Sequence, residues 1–429
     1  MLERRVAPFP IAYSSLDLLA PLDRFGPLNK STPMNSPKEA LGHNTYRVRL
    51  YPNEEQKVTL AKHFGCARFV YNKFLAAKID YYKRTGKSVS FAACCLKLTK
   101  LKKKHPWLAE VDATSLQQSL KNLDAAYQNF FRRCKQGGVP GFPRFKSKHD
   151  NHHSFRIVMS NAIDGSHLKI GKVGWIKFRG LRDTFPHGTK IQSITVSLNA
   201  TGDYYASILV KQDTRVTDHR HKEYACGIDV GVAVPLTLVS DSGKCSTTGR
   251  RFKAALLKKE QRRKHYQRML ARKQKGSNNR NKTRRKVARA YRNEANLRTD
   301  YNHKCSTIIA KRFHTIVIED LKINNMTRSA KGTAEAPGTN VAAKAGLNRE
   351  ILRLGWSQLT TFLAYKTARY GGELIKVNPA YTSQTCSSCG VVDKASRENQ
   401  SRFKCVHCGF ALNADHNAAR NILAKGLAN

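Results

Sequence analysis

The sequence predicts a multidomain α/β protein with a zinc ribbon near its C-terminus. Three observations carry that expectation. Cys386-x2-Cys389 is followed by Cys405-x2-Cys408, a spacing at which two knuckles can close around one tetrahedral Zn²⁺. Short alternating or apolar segments, which read as strands, are interleaved with long stretches of helical periodicity. The chain has 429 residues, enough for roughly two or three domains.

The elements follow in chain order. Residues 1–44 are rich in Pro and Ser and lack the apolar core of a signal peptide, so they read as a disordered extension. Met34, just ahead of the first organised segment, is a candidate start. Tyr46-Arg47-Val48-Arg49-Leu50-Tyr51-Pro52 alternates and reads as one strand closed by proline. Helices are expected over 53–84, 90–104 and 112–134, with stripes such as Phe64, Val70, Phe74 and Leu116, Leu120, Leu123 forming their core faces. Gly137 to Lys146 is a turn-rich basic loop with interleaved Phe142 and Phe145, a composition suited to phosphate contacts and base stacking. Residues 153–213 read as short strands of a small barrel or curled sheet, with which 45–52 is expected to pair.

At Tyr224 the pattern changes. Tyr224–Val230 is an apolar strand, Gly231 turns it, and Ala233–Ser240 returns. Long helices are expected over 250–310. Between Arg250 and Arg292 stand nineteen Lys or Arg and one acid, Glu260. The Lys275-Gly276-Ser277-Asn278-Asn279 turn makes this a basic helical hairpin that can face phosphates. Thr315–Ile318 is a further buried strand, 327–347 a mobile loop, and 349–370 a helix. After the cysteine pairs a last helix starts at Asn413.

Charge narrows the function. Lys and Arg total 77 against 30 Asp and Glu, a formal net charge of +47. Self-repulsion on that scale opposes folding, so it points to a polyanionic partner. No apolar run approaches the ~18 residues of a membrane span. The other seven cysteines, Cys66, Cys94, Cys95, Cys134, Cys226, Cys245 and Cys305, are scattered without a framework. That suits buried thiols in a reducing, cytoplasmic setting.

Acids are scarce, so their placement is informative. Asp229 lies within the apolar strand Gly227-Ile228-Asp229-Val230-Gly231, where a carboxylate is costly unless paired, protonated or bound to metal. Ile316-Val317-Ile318-Glu319-Asp320 ends another strand. Alternation puts Glu319 with Val317 and Asp320 with Ile318, which leaves both open as a second site acid. On a helix from Asn413, Asp415 shares a face with Ala418, Ala419 and Ile422, small and apolar enough for close packing. An ion pair with a buried Arg would explain Asp229 alone, and a helix N-terminus would explain Asp415 alone. Together, carboxylates from two strands and a helix can hold a pair of Mg²⁺ ions ~4 Å apart for phosphodiester hydrolysis.

These segments, with Phe64 to Asn72, Gly141 to Lys146, Tyr381-Thr382-Ser383-Gln384-Thr385-Cys386 and Asp415-His416-Asn417-Ala418-Ala419-Arg420-Asn421, resemble the TnpB family, the OrfB-type proteins of insertion sequences. The resemblance runs from about residue 45 to 425. It implies an RNA-guided, Mg²⁺-dependent DNA endonuclease with guide RNA and double-stranded target DNA as partners. It implies an RNase H-like (RuvC) core over 222–383 and 413–429, with the zinc ribbon, 384–412, inserted. It assigns Asp229, Glu319 and Asp415 as the catalytic triad and so favours Glu319 over Asp320. A wedge-type β-barrel would comprise 45–52 and 150–215, and a helical recognition domain with the basic loop 53–149. The alternatives are a nuclease-silent guided repressor and a zinc-ribbon accessory regulator of transposition. The resemblance does not extend to residues 1–44.

Overall fold

A computed structural model describes residues 41–428, apart from 151, 161, 182–184, 186–188, 214–218 and 220–221. Most of the expected N-terminal extension, and Met34 with it, therefore lies outside the described residues. Its last four positions, 41–44, already belong to a strand. The chain divides into two units, Glu39–Thr214 and Arg215–Asn429.

The first unit opens with β1 (Leu41–Tyr51), then α1 (Glu54–Thr85), α2 (Phe91–Lys104) and α3 (Ala113–Lys135). Six strands follow: β2 (His152–Ile157), β3 (Ile163–Asp164), β4 (His167–Ile170), β5 (Gly174–Arg179), β6 (Lys190–Asn199) and β7 (Tyr204–Asp213). They form a seven-stranded antiparallel sheet in the order β2-β6-β7-β1-β5-β4-β3. The opening strand sits between β7 and β5, as the strand–helix–strand reading expected. The helical segment is thus an insertion between two strands of one sheet.

Helix α1 begins with a capping box: the Asn53 side chain accepts from the Gln56 N–H, and the Gln56 side chain accepts from the Asn53 N–H. Its 32 residues bury one stripe, which meets two different cores along its length. Leu60, Phe64 and Ala67 join the sheet core with Val48, Phe155 and Ile208. Val70, Tyr71, Phe74 and Leu75 join Leu98, Leu116, Leu120 and Leu123 of the other two helices.

The second unit contains β8 (Ala225–Asp229), β9 (Leu236–Ser240), β10 (Cys245–Thr248), α4 (Arg250–Ala271), α5 (Asn278–Arg312) and β11 (Thr315–Glu319). It continues with α6 (Ile323–Met326), α7 (Val341–Leu354), α8 (Trp356–Arg369), β12 (Glu373–Val377), β13 (Arg402–Lys404), β14 (Ala411–Asn413) and α9 (Ala414–Leu427). Five strands make a mixed sheet in the order β10-β9-β8-β11-β12. β10, β9 and β8 are antiparallel, while β8, β11 and β12 run parallel.

The helix expected over 349–370 is two helices. Gly355, at φ 73°, ends α7 and precedes α8. A Cβ there would stand 2.6 Å from Cδ of Arg298, so both the backbone and the neighbour call for glycine. Helix α7 also reaches back to Val341, into the segment read as a loop. The expected basic hairpin is α4 and α5. Its buried acid, Glu260, contacts Arg353 of α7, and Arg263 bonds Glu294 at 2.8 Å.

Candidate active site

The central sheet separates two layers of the second unit. Cys226, Ile228, Ile316 and Ile318 belong to the core built with α4, α5 and α8. Ala225, Val317 and Val377 pack with Ile422 and Leu423 of α9. Successive strand side chains alternate between faces. Gly227 and Asp229 therefore share the α9 face with Ala225, and Glu319 shares it with Val317. Asp320 falls on the side of Ile318. The choice that alternation left open between Glu319 and Asp320 turns on which face α9 covers.

Helix α9 lies close against that face. A Cβ on Gly227 would stand 2.3 Å from the Ala419 carbonyl oxygen and 2.8 Å from Cβ of Leu423. Ala418, Ala419 and Ile422 are buried, as the small apolar face predicts. The Asn413 side chain caps the helix by accepting from the N–H groups of Asp415 (3.0 Å) and His416 (3.3 Å). That fixes Asp415 in the first turn, where the helix dipole favours a carboxylate.

The three acids are partly buried, and Asp229 responds to the charges of the other two. Burial, then the charges of Glu319 and Asp415, push Asp229 from 3.8 to about 7, against a smaller opposing effect of Arg397. Burial also raises Glu319, opposed by a hydrogen bond from Thr382 and by the charges of Lys425 and Arg397. Asp415 is raised by burial, opposed by Arg397, His416 and Arg250. Asp320 behaves oppositely. The Lys322 hydrogen bond holds its carboxyl below the usual range, and Lys376 lies 3.8 Å away. Asp229 thus feels the charges of both Glu319 and Asp415, and all three acids offer hard oxygens on the α9 side of the sheet. Among the described residues they are a looser set than the cysteines, whose donor atoms all lie within 4.8 Å of one another.

Two residues of this site had no role in the sequence reading. The Thr382 hydroxyl donates to Glu319 Oε1 at 2.6 Å. Thr382 lies in the quoted Tyr381–Cys386 motif, which was the available signal. Arg397 stands between the two cysteine pairs, yet its charge acts on all three acids. Nothing local in its sequence marks it.

The cysteines form a second centre. Sγ of Cys386 lies 3.7 Å from Sγ of Cys408, and Sγ of Cys389 lies 3.7 Å from Sγ of Cys405. The two knuckles repeat one geometry. Gly390 N–H donates to the Cys386 carbonyl and Gly409 N–H to the Cys405 carbonyl. Both glycines have positive φ, 77° and 74°, which carries the backbone around behind the sulfurs. The N–H of Cys408 helps hold the Cys405 thiol below its ordinary range. Four gathered sulfurs of this kind can hold a metal such as zinc.

The centre is tied to α9. The Asn417 side chain accepts from Ser387 N–H (3.0 Å) and donates to the Thr385 carbonyl (2.8 Å). The Asn421 amide donates to the carbonyls of Thr382 (2.9 Å) and Thr385 (2.7 Å).

The sequence also matches known proteins. Residues 207–330 match a family described as "Probable transposase", and residues 356–422 a "Cas12f1-like, TNB domain". A protein of Escherichia coli K12 named "Putative RNA-guided DNA endonuclease InsQ" is 38% identical over 385 residues, covering 89% of this chain and 92% of that protein. The chain belongs to the TnpB family. A second TnpB relative, from Streptomyces pristinaespiralis and named "Putative RNA-guided DNA endonuclease", is 33% identical over 388 residues, covering 89% of each chain. A solved Cas12f1 chain, from a complex with sgRNA and target DNA, aligns over 89% of this TnpB chain and 98% of its own length, at 13% identity and a TM-score of 0.47. Residues 43–87 match a family described as a helix-turn-helix domain. In this TnpB protein they are a strand and a single long helix, β1 and α1.

Proposed function

We propose that this protein is an RNA-guided DNA endonuclease encoded by an insertion sequence, cutting phosphodiester bonds in duplex target DNA beside a short flanking motif. The observation that carries the reading is the site built by Asp229, Glu319 and Asp415. Two acids sit at the ends of neighbouring parallel strands, the third is on the helix packed across them, and Asp229 is raised to about 7 by burial and its two neighbours. The sheet order, three antiparallel strands then two parallel ones, supports an RNase H-like (RuvC) core over 222–383 and 413–429. The three carboxylates would hold divalent ions, Mg²⁺ by their hard oxygens, and bound ions of this kind supply an activated water and stabilise the leaving 3′ oxygen. Thr382 fixes one oxygen of Glu319 and leaves the other available. Arg397 presents a planar cation beside the acids, suited to a phosphate of an entering strand.

The rest of the chain suits a nucleic-acid path. In the basic hairpin, Arg263 is engaged by Glu294, and Arg280 donates to the Leu270 and Lys273 carbonyls. Arg284, Arg285, Lys286 and Arg289 are exposed, and we assign them to phosphates of guide or target. In the first unit we assign 45–52 and 150–215 to a wedge-type barrel and 53–149 to recognition helices. Residues 384–412 form the ribbon, with one structural Zn²⁺ on Cys386, Cys389, Cys405 and Cys408. Under this scheme the guide reads the target by pairing, and the protein reads the flanking motif and backbone shape.

The intact acid set speaks against a nuclease-silent repressor. The test is purification from cells, sequencing of the bound RNA, and incubation of the complex with a plasmid carrying the guide match, with Mg²⁺ or EDTA. Mg²⁺-dependent cutting at the match, lost in Asp229→Ala, is the expected result. Protein that carries no defined RNA and leaves the plasmid intact would overturn the reading.

A further inference from the structure

Two segments singled out in the sequence, Phe64 to Asn72 and Gly141 to Lys146, have no part in the acid site. Within the first unit they meet at a cavity of about 190 Å³. Arg68 and Lys146 line it with Ser147, His152, His153 and Ser154. Phe64, Arg68 and Asn72 follow at intervals of four residues, one line along α1. Phe64 is buried and supplies an apolar wall. Asn72 clamps the basic loop: its side chain accepts from the Lys146 N–H and donates to the Lys146 carbonyl, both at 2.9 Å. The lysine therefore leaves the loop at a fixed point, and its Nζ lies 4.2 Å from the centroid of the buried Tyr71 ring.

The cations are short of partners. Among the described residues, neither the Arg68 nor the Lys146 side chain has an ion pair or a hydrogen bond. Burial lowers Lys146. Burial, then the Arg68 charge, lowers His153, opposed by Asp150. A desolvated cation without a counter-charge is costly, and an anion relieves it. Asp150 is the acid of the lining, and it is held in a turn, where it accepts from the Ser147 N–H at 2.9 Å.

Each feature selects the occupant. The volume falls below the ~300 Å³ at which small-molecule sites begin, which leaves room for one group, not for a whole nucleotide. Guanidinium, ammonium, hydroxyl and imidazole are donors that hold phosphate oxygens. Two fixed cations against one acid favour an anion over a neutral group.

We propose that this cavity is a cradle for one backbone phosphate of the bound nucleic acid, with Arg68 and Lys146 supplying the charge and His153, Ser147 and Ser154 the remaining donors. The proposal rests on the nucleic-acid partners of the reading above and not on cutting. A contact of this kind carries no sequence information, and fixes the register of the strand on the protein.

The test compares the wild type with Arg68→Gln, Arg68→Lys, Lys146→Gln and Asp150→Asn, all full-length, in two arms. In one, the chain freed of RNA in high salt is titrated with the guide RNA that co-purifies with it. In the other, the guide-loaded complex, made inactive by Asp229→Ala, is titrated with matched duplex. Both are run across a salt series, with thermal unfolding as a control. Arg68→Gln and Lys146→Gln should each weaken binding about tenfold in one arm. They should flatten its salt dependence by about 0.7 log unit for a single strand or about 0.9 for duplex DNA. The arm that responds identifies the phosphate as the guide's or the target's. Arg68→Lys keeps the charge and should keep most of the slope. Asp150→Asn keeps an oxygen for the Ser147 N–H, removes the opposing charge, and should tighten the same arm by roughly threefold. Damage to folding does not produce such a gain, so this variant decides the matter if a glutamine variant fails to fold. Single neutral methylphosphonate linkages along the responding strand should show one position whose loss in the wild type disappears in Arg68→Gln. Unchanged slopes in both arms, with Asp150→Asn binding as the wild type does, would overturn the cradle alone. Wild-type protein that binds neither its guide nor the matched duplex would remove the nucleic-acid reading and the cradle with it.

Discussion

Gly227→Ala is the sharpest test of how the site is assembled. Position 227 is in the middle of β8, where α9 packs close against the sheet. An added Cβ would lie 2.3 Å from the Ala419 carbonyl oxygen, against an ordinary contact of 3.4 Å or more. The deficit, 3.4 minus 2.3, is about 1.1 Å, and the obstacle is backbone that cannot rotate away. Overpacking of this kind costs about 1–3 kcal/mol. The larger consequence is positional. α9 carries Asp415, so lifting the helix by ~1 Å moves that carboxylate from Asp229 and Glu319, and such a misplacement can cost on the order of 10²-fold in rate. The assay is thermal unfolding and plasmid cutting side by side, with RNA binding as a control. Gly65→Ala supplies the comparison, since a Cβ there meets nothing within 4 Å on α1, and alanine should stabilise that helix by roughly 0.5–1 kcal/mol. Gly227→Ala protein that melts with the wild type and cuts within about threefold of it would refute the close-packing argument.

Asp229→Ala, Glu319→Ala and Asp415→Ala should each abolish cutting while RNA and target binding persist, and the double changes should lose no more than the singles; an Asp320→Ala loss exceeding that of Glu319→Ala would put the wrong acid in the site. Because Asp229 is raised from 3.8 to about 7, its stabilising contribution is fully present below the unfolded value and is lost as pH rises through about 7. In EDTA, urea unfolding should therefore show the wild type losing on the order of a few kcal/mol between ~pH 4 and ~pH 8 relative to Asp229→Asn. The same proton competes with a cation, so Mg²⁺ titrations should show affinity falling below about pH 7. Metal analysis should give one zinc per chain, and Cys405→Ser should speed hydrogen exchange over 384–412; zinc-free reduced protein with an unchanged ribbon would refute this. Changing Arg284, Arg285 and Lys286 together to Ala should weaken all targets alike and flatten the salt dependence by up to about 0.9 log unit per lost contact, whereas an altered flanking-motif preference would mean that the hairpin reads bases.

What the sequence made legible was local. Alternation marks β1 and period 3.6 marks α1 to α3, because each such pattern records burial of one face by its own neighbours in sequence. The cysteine spacing is likewise self-contained, since each knuckle closes within four residues and needs only its glycine. The residues that depend on distant packing were harder to read. Glu319 and Asp320 differ only in which face they take, and that is decided by α9, about a hundred positions later. Gly355 looked like an interior glycine until its positive φ and the nearby Arg298 side chain split the helix. β12 adds to the sheet beside β11 with a half-exposed pattern that carries little periodic signal. Arg397 reaches the acids from a ribbon insertion whose own sequence is dominated by its cysteines.

Helix α9 explains why the last acid follows the ribbon in the chain. One face of this helix packs on β8 and β11 and carries Asp415. Asn417 and Asn421, both buried, bond the segment from Thr382 to Ser387. That segment holds Glu319 through Thr382 and leads directly into Cys386. The carboxylate site and the thiolate site therefore share one structural wall. Helix α9 holds the 382–387 turn through Asn417 and Asn421, the turn bonds Glu319 through Thr382, and the same helix carries Asp415 and passes close enough to the sheet to require glycine at 227. Hard oxygens and soft sulfurs select different metals, so divalent ions at the proposed carboxylate site would not compete with a metal on the four cysteines. Under the proposed reading, the turn before the cysteines and the helix after them are bonded to each other, which ties the Glu319 side of the site to the Asp415 side.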